Sequence, residues 1–543
     1  MMIKQLYRIV MTMAASVSLS IPLWAQLTQP PQLQQTNGPQ ADILVVGDKD
    51  QARSKWVRAE SRSFTVYSVD DGEARREATK LERFDQLLQL LTQTPAQEPA
   101  NPLPVYLVPG TSQILQLRRQ YLPPRFFPTG YYSAAPTGII LAADMHWDKQ
   151  VTKIPAYHDV WLFTEYSRHF LLQNARGAFL PAWYVDGFSL TLSSTRFTGN
   201  AVEYGQGNPT MIEWLKNEKW APIRNIIAGE LDQGQLYSAE SALLVHYILA
   251  DPARGKAFGR FLDAARHGAE PVAAFEAAFR TTMKSLQAAL WRYRYEATYI
   301  RASFTGTPDP AIVVSHLPKS ADALLLDQAA MRIGIPEPDR QRAVLQRAEN
   351  AVADRSDPFA QRVLAMAQIL YGVPERADAA LDALLIRAPA DPELLYLKGL
   401  RHLAAGRRDA IIAPAEFLEA RKWFARAYQA NPDYYPALYG WVESLSTEPQ
   451  FLSVNSLNVL VKAAQLAPQA TQIRITAATM LMTDGMFEDA EALLAPITVT
   501  PRDPASKQIP ALLAQSRARQ RPDRAQLLAS FRFNATWADL NCC

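Results

Sequence analysis

The chain has 543 residues, of which 48% are hydrophobic and 20% are charged, a balance that excludes general disorder and predicts two to four domains. The net charge of +3, from 56 basic and 53 acidic residues, argues against a dedicated nucleic-acid-binding protein. The two cysteines, Cys542 and Cys543, are adjacent, which excludes both a disulfide scaffold and a cysteine-based zinc knuckle.

The amino end has the pattern of a secretory signal. Lys4 and Arg8 open a mostly apolar run, and the small residue Ala25 is suited to cleavage. The apolar run is shorter than the ~20 residues that a membrane span needs, so export is favoured over anchoring. We expect an exported protein, periplasmic or secreted, with no stable membrane span in the mature chain. Residues 1–25 are the predicted signal peptide, and 26–50, rich in Gln and Pro, are a predicted flexible leader.

Residues 51–305 combine strand and helix patterns in the order typical of an α+β domain. Alternating β-rich stretches predict strands at 63–67, 104–108, 130–132 and 138–142. Apolar residues at helical spacing predict helices over 73–91, over 157–173 and from about Trp183 onward.

Two motifs occur in this half of the chain. Residues 160–172 are VWLFTEYSRHFLL, and residues 179–188 are FLPAWYVDGF. Together they resemble the core of peptidase MA-like proteins of the gluzincin type. That family carries a helical His-Glu-x-x-His and, about twenty residues later, a Pro-x-Trp-x-x-Glu-Gly segment. The resemblance covers roughly residues 56–300 and implies a gluzincin-like α+β domain.

In that family, two histidines one helical turn apart and a glutamate from the next helix bind zinc, and a second glutamate polarises the zinc-bound water. This sequence has Thr164 and Arg168 at the histidine positions and Asp186 at the third-ligand position, while Glu165 keeps the catalytic position. An arginine has a permanent positive charge and no lone pair to donate. We therefore expect no cofactor, and an ion pair of Arg168 with Glu165 or Asp186 in the space of the metal.

A relocated zinc site is the alternative. His158, Glu165 and His169 fall within about 40° of one another around an ideal helix. With Asp186 they form a possible replacement set, in which Glu165 is the general base of an active metallohydrolase. One observation argues against this set. His169 is one residue past the family's ligand position, so its side chain leaves the helix about 100° away from the direction of that position.

From about residue 320 the pattern changes to helices rich in Ala and Leu, with prolines that recur at intervals near the 34 residues of tetratricopeptide repeats. The repeat signature that fits best has small residues, one large residue and a closing proline: Gly399, Ala420, Phe424, Ala427 and Pro432. We predict an all-α, tetratricopeptide-like helical array over 320–515 and a C-terminal tail over 516–543.

The favoured function is binding of a protein or peptide by an inactive metallopeptidase-like domain and its repeats. A repeat-based adaptor or scaffold is a further alternative to the active zinc enzyme. Candidate contact residues on the predicted edge strand, where a peptide could pair, are Tyr131 and Tyr132, with ordinary strand residues as the alternative. In the array the candidates have a polar-tipped ring, and packing between helices is the alternative for many of them: Tyr396, His402, Tyr434, Tyr435 and Tyr439.

Overall fold

The structure is a computed structural model that describes most of the chain beyond residue 52. The described residues are 53–95, 101–117, 129–146, 157–174, 180–207, 209–230, 235–304, 310–352, 357–448, 451–495 and 504–531. The predicted signal peptide and leader lie outside these residues, as do Cys542 and Cys543. None of the helices in the described ranges is long and apolar enough to cross a bilayer.

The strands form two sheets. Their bounds are β1 Arg53–Glu60, β2 Phe64–Ser68, β3 Leu103–Val108, β4 Gly130–Ala135, β5 Gly138–Asp144, β6 Arg196–Thr198, β7 Ala201–Tyr204, β8 Ile300–Ser303 and β9 Val313–Pro318. The large sheet has the order β4-β5-β3-β2-β1-β9, and β6, β7 and β8 form a small one. Within the large sheet β2, β3 and β5 are parallel, while β4, β1 and β9 pair antiparallel with their neighbours.

Helices make up most of the remaining described chain. In the first half they are α1 Asp71–Thr92, α2 Thr111–Leu117, α3 Tyr157–Asn174, α4 Ala182–Leu192, α5 Pro209–Asn217, α6 Ile223–Ala228, α7 Gln235–Leu249, α8 Pro252–Arg266, α9 Pro271–Phe279 and α10 Met283–Tyr293. In the second half they are α11 Ala321–Ile333, α12 Pro338–Ala351, α13 Pro358–Tyr371, α14 Asp378–Arg387, α15 Pro392–Arg408, α16 Ala413–Ala430, α17 Tyr435–Glu443, α18 Val454–Leu466, α19 Thr471–Thr483, α20 Phe487–Leu494, α21 Ile509–Arg517 and α22 Arg524–Ser530.

The large sheet is covered on both faces. Because side chains alternate along a strand, Val105 and Leu107 of β3 face one way and Tyr106 and Val108 the other. The first pair belongs to a core that includes residues of α1 and α3, and the second pair packs with α2 and α11. Helix α11 lies at the start of the predicted array, so the second half of the chain supplies one of the layers that cover the sheet.

The coarse prediction is confirmed: a mixed α/β region with a six-stranded sheet is followed by a mostly helical region. The four predicted strands and the helices over 73–91 and 157–173 are present within a few residues of their expected bounds. Strands β1 and β9 of the large sheet were not predicted, nor was the small sheet of β6, β7 and β8. The strand β9 begins after residue 305, where the predicted first domain ends, so the sheet extends past that boundary.

The predicted repeat signature describes the contact between α15 and α16. A Cβ on Gly399 would lie only 2.6 Å from the ring of Phe424, which is buried. Ala420 and Ala427, one turn to either side of Phe424, are fully buried, and Pro432 follows the end of α16. The glycine therefore lets α15 approach the aromatic ring of its neighbour, as the spacing predicted.

The tip of the β4–β5 hairpin is enclosed by helices of the second half. The Thr137 hydroxyl donates to the Arg332 carbonyl of α11, and the Tyr435 hydroxyl of α17 donates to the Ala135 carbonyl at 3.2 Å. Ile139 packs against the apolar cluster of α17 and α19. Residues beyond position 50 accordingly form one compact unit.

An ion network lies beneath this hairpin tip. Glu393 accepts from Arg332 and, at 2.6 Å, from Arg362, which also donates to Asp391 at 2.6 Å. Burial acts to raise the pKa of Glu393, but the two guanidinium groups outweigh it and hold that pKa at about 2. The network links α11, α13 and α15 next to the place where the hairpin packs against them.

Three of the candidate partner contacts in the array are part of this internal interface. Tyr396 and Tyr435 are buried, and Tyr396 and Tyr434 line a small cavity of about 20 Å³ together with Thr137. Of the two alternatives for these tyrosines, packing inside the molecule is therefore the one that the structure shows. A tyrosine combines an apolar ring with a polar hydroxyl, so its sequence pattern is the same in a buried interface and on an exposed binding surface.

The close approach at Gly399 gives a matched test. Gly399→Ala should lower the free energy of unfolding by about 1–2 kcal/mol, because the added methyl group meets the Phe424 ring. Gly259→Ala in α8, where no atom lies within 4 Å of the added carbon, should instead raise it by about 0.5–1 kcal/mol. Urea denaturation measures both, and a shift of the same sign in the two variants would contradict the packing.

Candidate active site

Helices α3 and α4 carry the four motif positions and are held by apolar packing. Trp183 of α4 is buried, and its ring contacts those of Phe258, Phe261 and Phe275. On the same helix, a Cβ on Gly187 would lie 2.3 Å from the Ser241 carbonyl oxygen of α7. This close approach fixes the neighbouring residue, Asp186, between α3 and α7.

Arg168 bonds to both carboxylates of the motif. Its guanidinium donates to Glu165 Oε1 at 2.6 Å and to Asp186 Oδ1 at 3.0 Å. The exposed fractions are 11% for the Arg168 side chain, 5% for Glu165 and 18% for Asp186. The expected ion pair is therefore confirmed, and it involves both acids rather than one.

Charge outweighs burial at this guanidinium. Burial acts to lower the pKa of Arg168, but the negative charges of Glu165 and Asp186 more than compensate and raise it. The side chain is therefore a stable cation that links α3 to α4.

The donor set at these positions does not fit zinc. The Thr164 hydroxyl donates to the Val160 carbonyl within its own helix at 2.6 Å, and a threonine hydroxyl is not among the usual zinc ligands. The two carboxylates already bind the Arg168 guanidinium, and an arginine at a ligand position would repel a divalent ion. Catalytic zinc sites usually have three protein ligands that include at least one imidazole.

His169 points to the β4 strand instead. Its Nδ1 and the Tyr132 hydroxyl are 2.9 Å apart, and both rings pack edge to face. Burial lowers the pKa of His169 to about 4, so the imidazole is neutral at physiological pH. Tyr132 is thus engaged inside the molecule, and the hydroxyl of Tyr435 covers the end of β4 at Ala135. β4 is the predicted edge strand, but these contacts occupy part of it.

His158 belongs to a different cluster, at the start of α3. It lies near two carboxylates, Glu77 of α1 and Asp159, at 3.8 and 3.4 Å. The Lys80 ammonium already bridges the pair, at 2.8 Å from Glu77 and 3.0 Å from Asp159. Although burial acts to raise the pKa of Glu77, the charges and hydrogen bonds of His158 and Lys80 hold it low. Burial and the charge of Glu77 raise the pKa of Asp159.

The alternative zinc ligands are not brought together. His158 and His169 are eleven residues apart on α3, which separates them by about 16 Å along the helix axis. The two imidazoles share a direction around the axis, but this rise keeps them apart. Among the described residues, the potential ligand atoms that lie within 4.8 Å of one another belong to Glu77, His158 and Asp159. Asp186 and His169 are not in that group.

Two buried residues of α7 near the site were missed by the sequence reasoning. Tyr237 is buried, and burial together with the charge of Asp186 raises its pKa. Glu240 accepts from the Ala221 N–H at 3.1 Å, while its second oxygen has no partner among the residues described. Neither stands out in the sequence, because the contacts join positions that are 19 to 51 residues apart.

Comparison with known proteins does not assign the chain to a family: no family model, no curated protein and no solved structure matches it. The peptidase MA-like resemblance and the tetratricopeptide-like resemblance therefore remain predictions from sequence motifs. The geometry of Arg168, Glu165 and Asp186 stands independently of either resemblance.

Removing the guanidinium should destabilise the protein. Arg168→Ala leaves two poorly exposed carboxylates without a counter-ion, and we expect the free energy of unfolding to fall by about 3–5 kcal/mol. Denaturant titration at neutral pH measures the change. A loss below about 1 kcal/mol would mean that the ion pair is not formed in solution.

Two controls separate charge from packing. Arg342→Ala removes an ion pair whose side chains are 73% and 89% exposed, and should change stability by no more than about 0.5 kcal/mol. The combined change Arg168→Met, Glu165→Gln and Asp186→Asn should recover much of the stability lost in Arg168→Ala, because no unpaired charge remains. Failure to recover would mean that unpaired charge is not the cause of the loss in Arg168→Ala.

Glu240 gives a pH-dependent prediction. Burial raises its pKa to about 7, against the opposing effect of the Ala221 N–H. Between about pH 4.5 and 7 the folded chain keeps a proton that the unfolded chain has lost, so this group makes stability fall as pH rises through that window. Glu240→Gln should remove this part of the slope and stabilise the protein by about 1–3 kcal/mol at pH 8. Parallel stability-versus-pH curves for the two proteins would contradict it.

Proposed function

We propose that this chain is an exported, non-catalytic protein that binds proteins or peptides, with a gluzincin-like half that has lost hydrolytic chemistry. One observation carries the proposal: a guanidinium bonds to both acidic side chains of the motif, at 2.6 and 3.0 Å. In the active family those carboxylates would serve as general base and metal ligand. Here each has an arginine as its partner.

The environment of Glu165 supports the loss of acid–base catalysis. A general base must reach a water or substrate proton with a free lone pair, at a pKa near the operating pH. Glu165 is buried, and its Oε1 accepts from the Arg168 guanidinium at 2.6 Å. Asp186 accepts from the same guanidinium at 3.0 Å, so both carboxylates of the motif are engaged with a cation inside the protein.

The helical second half supports a binding or scaffolding role. It encloses the β4–β5 hairpin through Thr137, Ile139 and Tyr435, so part of its surface braces the first half. Stacked helix pairs with this kind of contact usually serve in partner binding. The adaptor alternative, in which the repeats bind and the first half is only a support, differs from the leading proposal in where a partner binds.

Restoring the missing ligands tests the mapping of the motif. The combined change Thr164→His, Arg168→His and Asp186→Glu creates two imidazoles one helical turn apart and a longer carboxylate on α4. We expect this variant to bind zinc with about one ion per chain and to gain thermal stability when zinc is added. Calorimetric titration and metal analysis measure the two effects.

A matched variant keeps the imidazoles out. Thr164→Ala, Arg168→Ala and Asp186→Glu removes the same guanidinium but supplies no nitrogen ligand, so it should bind no zinc at comparable concentrations. If both variants bound zinc equally well, the freed carboxylates rather than the imidazoles would be responsible for the binding. Absence of zinc binding in a folded histidine variant would show that positions 164, 168 and 186 do not correspond to the family's ligand positions.

A further inference from the structure

An open apolar groove lies on the first half, between α6 and α10. It encloses about 560 Å³, and Ile223, Met283 and Ala288 line it. The walls are fixed to each other, since the Ile223 N–H at the start of α6 donates to the Gln287 side chain of α10 at 2.6 Å. The groove is therefore built into the packing of the two helices, in the size range of binding sites.

Trp291 forms an aromatic wall of this groove. Its side chain is 44% exposed, yet two neighbours hold its ring. The Arg294 guanidinium lies 3.4 Å from the ring centroid, and the ring of Trp220 meets it edge to face at 5.2 Å. A large aromatic side chain that is exposed but already ordered is the type of residue that dominates binding energy at protein interfaces.

Three exposed cations surround the apolar floor. Arg224, Lys284 and Arg292 line the groove, and none of them has a carboxylate within 4.0 Å among the described residues. Arg224 contributes weakly to lowering the pKa of Glu270, but the two do not form an ion pair. No Asp or Glu of the described chain lines the groove. Positive charge around an apolar floor favours a ligand that is apolar at its centre and acidic at its edges.

We propose that this groove binds a segment of a partner protein that presents a large apolar side chain flanked by carboxylates. The inference rests on the proposed binding function and names its surface. A concave floor suits an inserted side chain, whereas a membrane-binding surface would present its apolar residues outward. The site is separate from Arg168 and from the hairpin interface, so it does not require either to open.

The test uses the full chain and a defined probe. A fluorescent peptide in which Phe and Leu alternate with Glu should bind, and binding should weaken as salt concentration rises. Combined charge reversal, Arg224→Glu, Lys284→Glu and Arg292→Glu, should weaken binding by about tenfold or more. Ala288→Glu, which places a carboxylate on the groove floor at an exposed position, should weaken it similarly. Fluorescence anisotropy measures each affinity.

Matched controls decide between the groove and general electrostatics. Lys256→Glu reverses an exposed charge on α8 outside the groove, and should change affinity less than about twofold. A weakening equal to that of the groove variants would overturn the inference, as would binding to phosphatidylglycerol vesicles but not to the peptide. Undiminished peptide binding by both groove variants would also overturn it while leaving a binding function in place. Zinc-dependent hydrolysis by the protein would contradict the proposed function, and this result is separate from peptide binding at the groove.

Discussion

A single cation between two acids is the constraint on which the rest of the account depends. Arg168 comes from α3, Asp186 from α4, and Glu165 lies one turn before the arginine. Removing a guanidinium from water is costly unless carboxylates accept its hydrogen bonds. Removing any one of the three charged groups would therefore leave an unpaired charge inside the protein. Arg168 is therefore a structural link between two helices, and its two bonds place a cation beside both carboxylates of the motif.

The two halves of the chain depend on each other in a comparable way. The sheet of the first half is covered on one face by α11, and the β4–β5 hairpin inserts among α11, α17 and α19. The partly buried Glu393 is paired with both Arg332 and Arg362 beside this interface. The surface of the helical half that encloses the hairpin is therefore occupied by the protein's own chain. A partner surface has to lie elsewhere, for example at the groove between α6 and α10.

Local patterns predicted the parts of the structure that depend on local physics. The helices α1 and α3 followed from apolar spacing, the strands β2 to β5 from alternation, and the contact of Gly399 with Phe424 from the repeat signature. The bond between Arg168 and the carboxylates was predictable because a buried cation requires an anion nearby. By contrast, β9 and the α6–α10 groove join residues that are far apart in sequence, and no periodicity marks such pairs. The relocated zinc set was wrong for a geometric reason, because His158 and His169 share a direction around α3 but lie far apart along it.

The proposed loss of metal chemistry rests on the Arg168 guanidinium, which bonds to both acids of the motif. Metal analysis of the full chain, purified without chelator and assayed in parallel for hydrolysis of an unfolded protein substrate, tests this proposal. We expect zinc far below one ion per chain and no hydrolysis that a chelator abolishes. One tightly held zinc per chain, lost together with hydrolytic activity on chelation, would overturn the proposal.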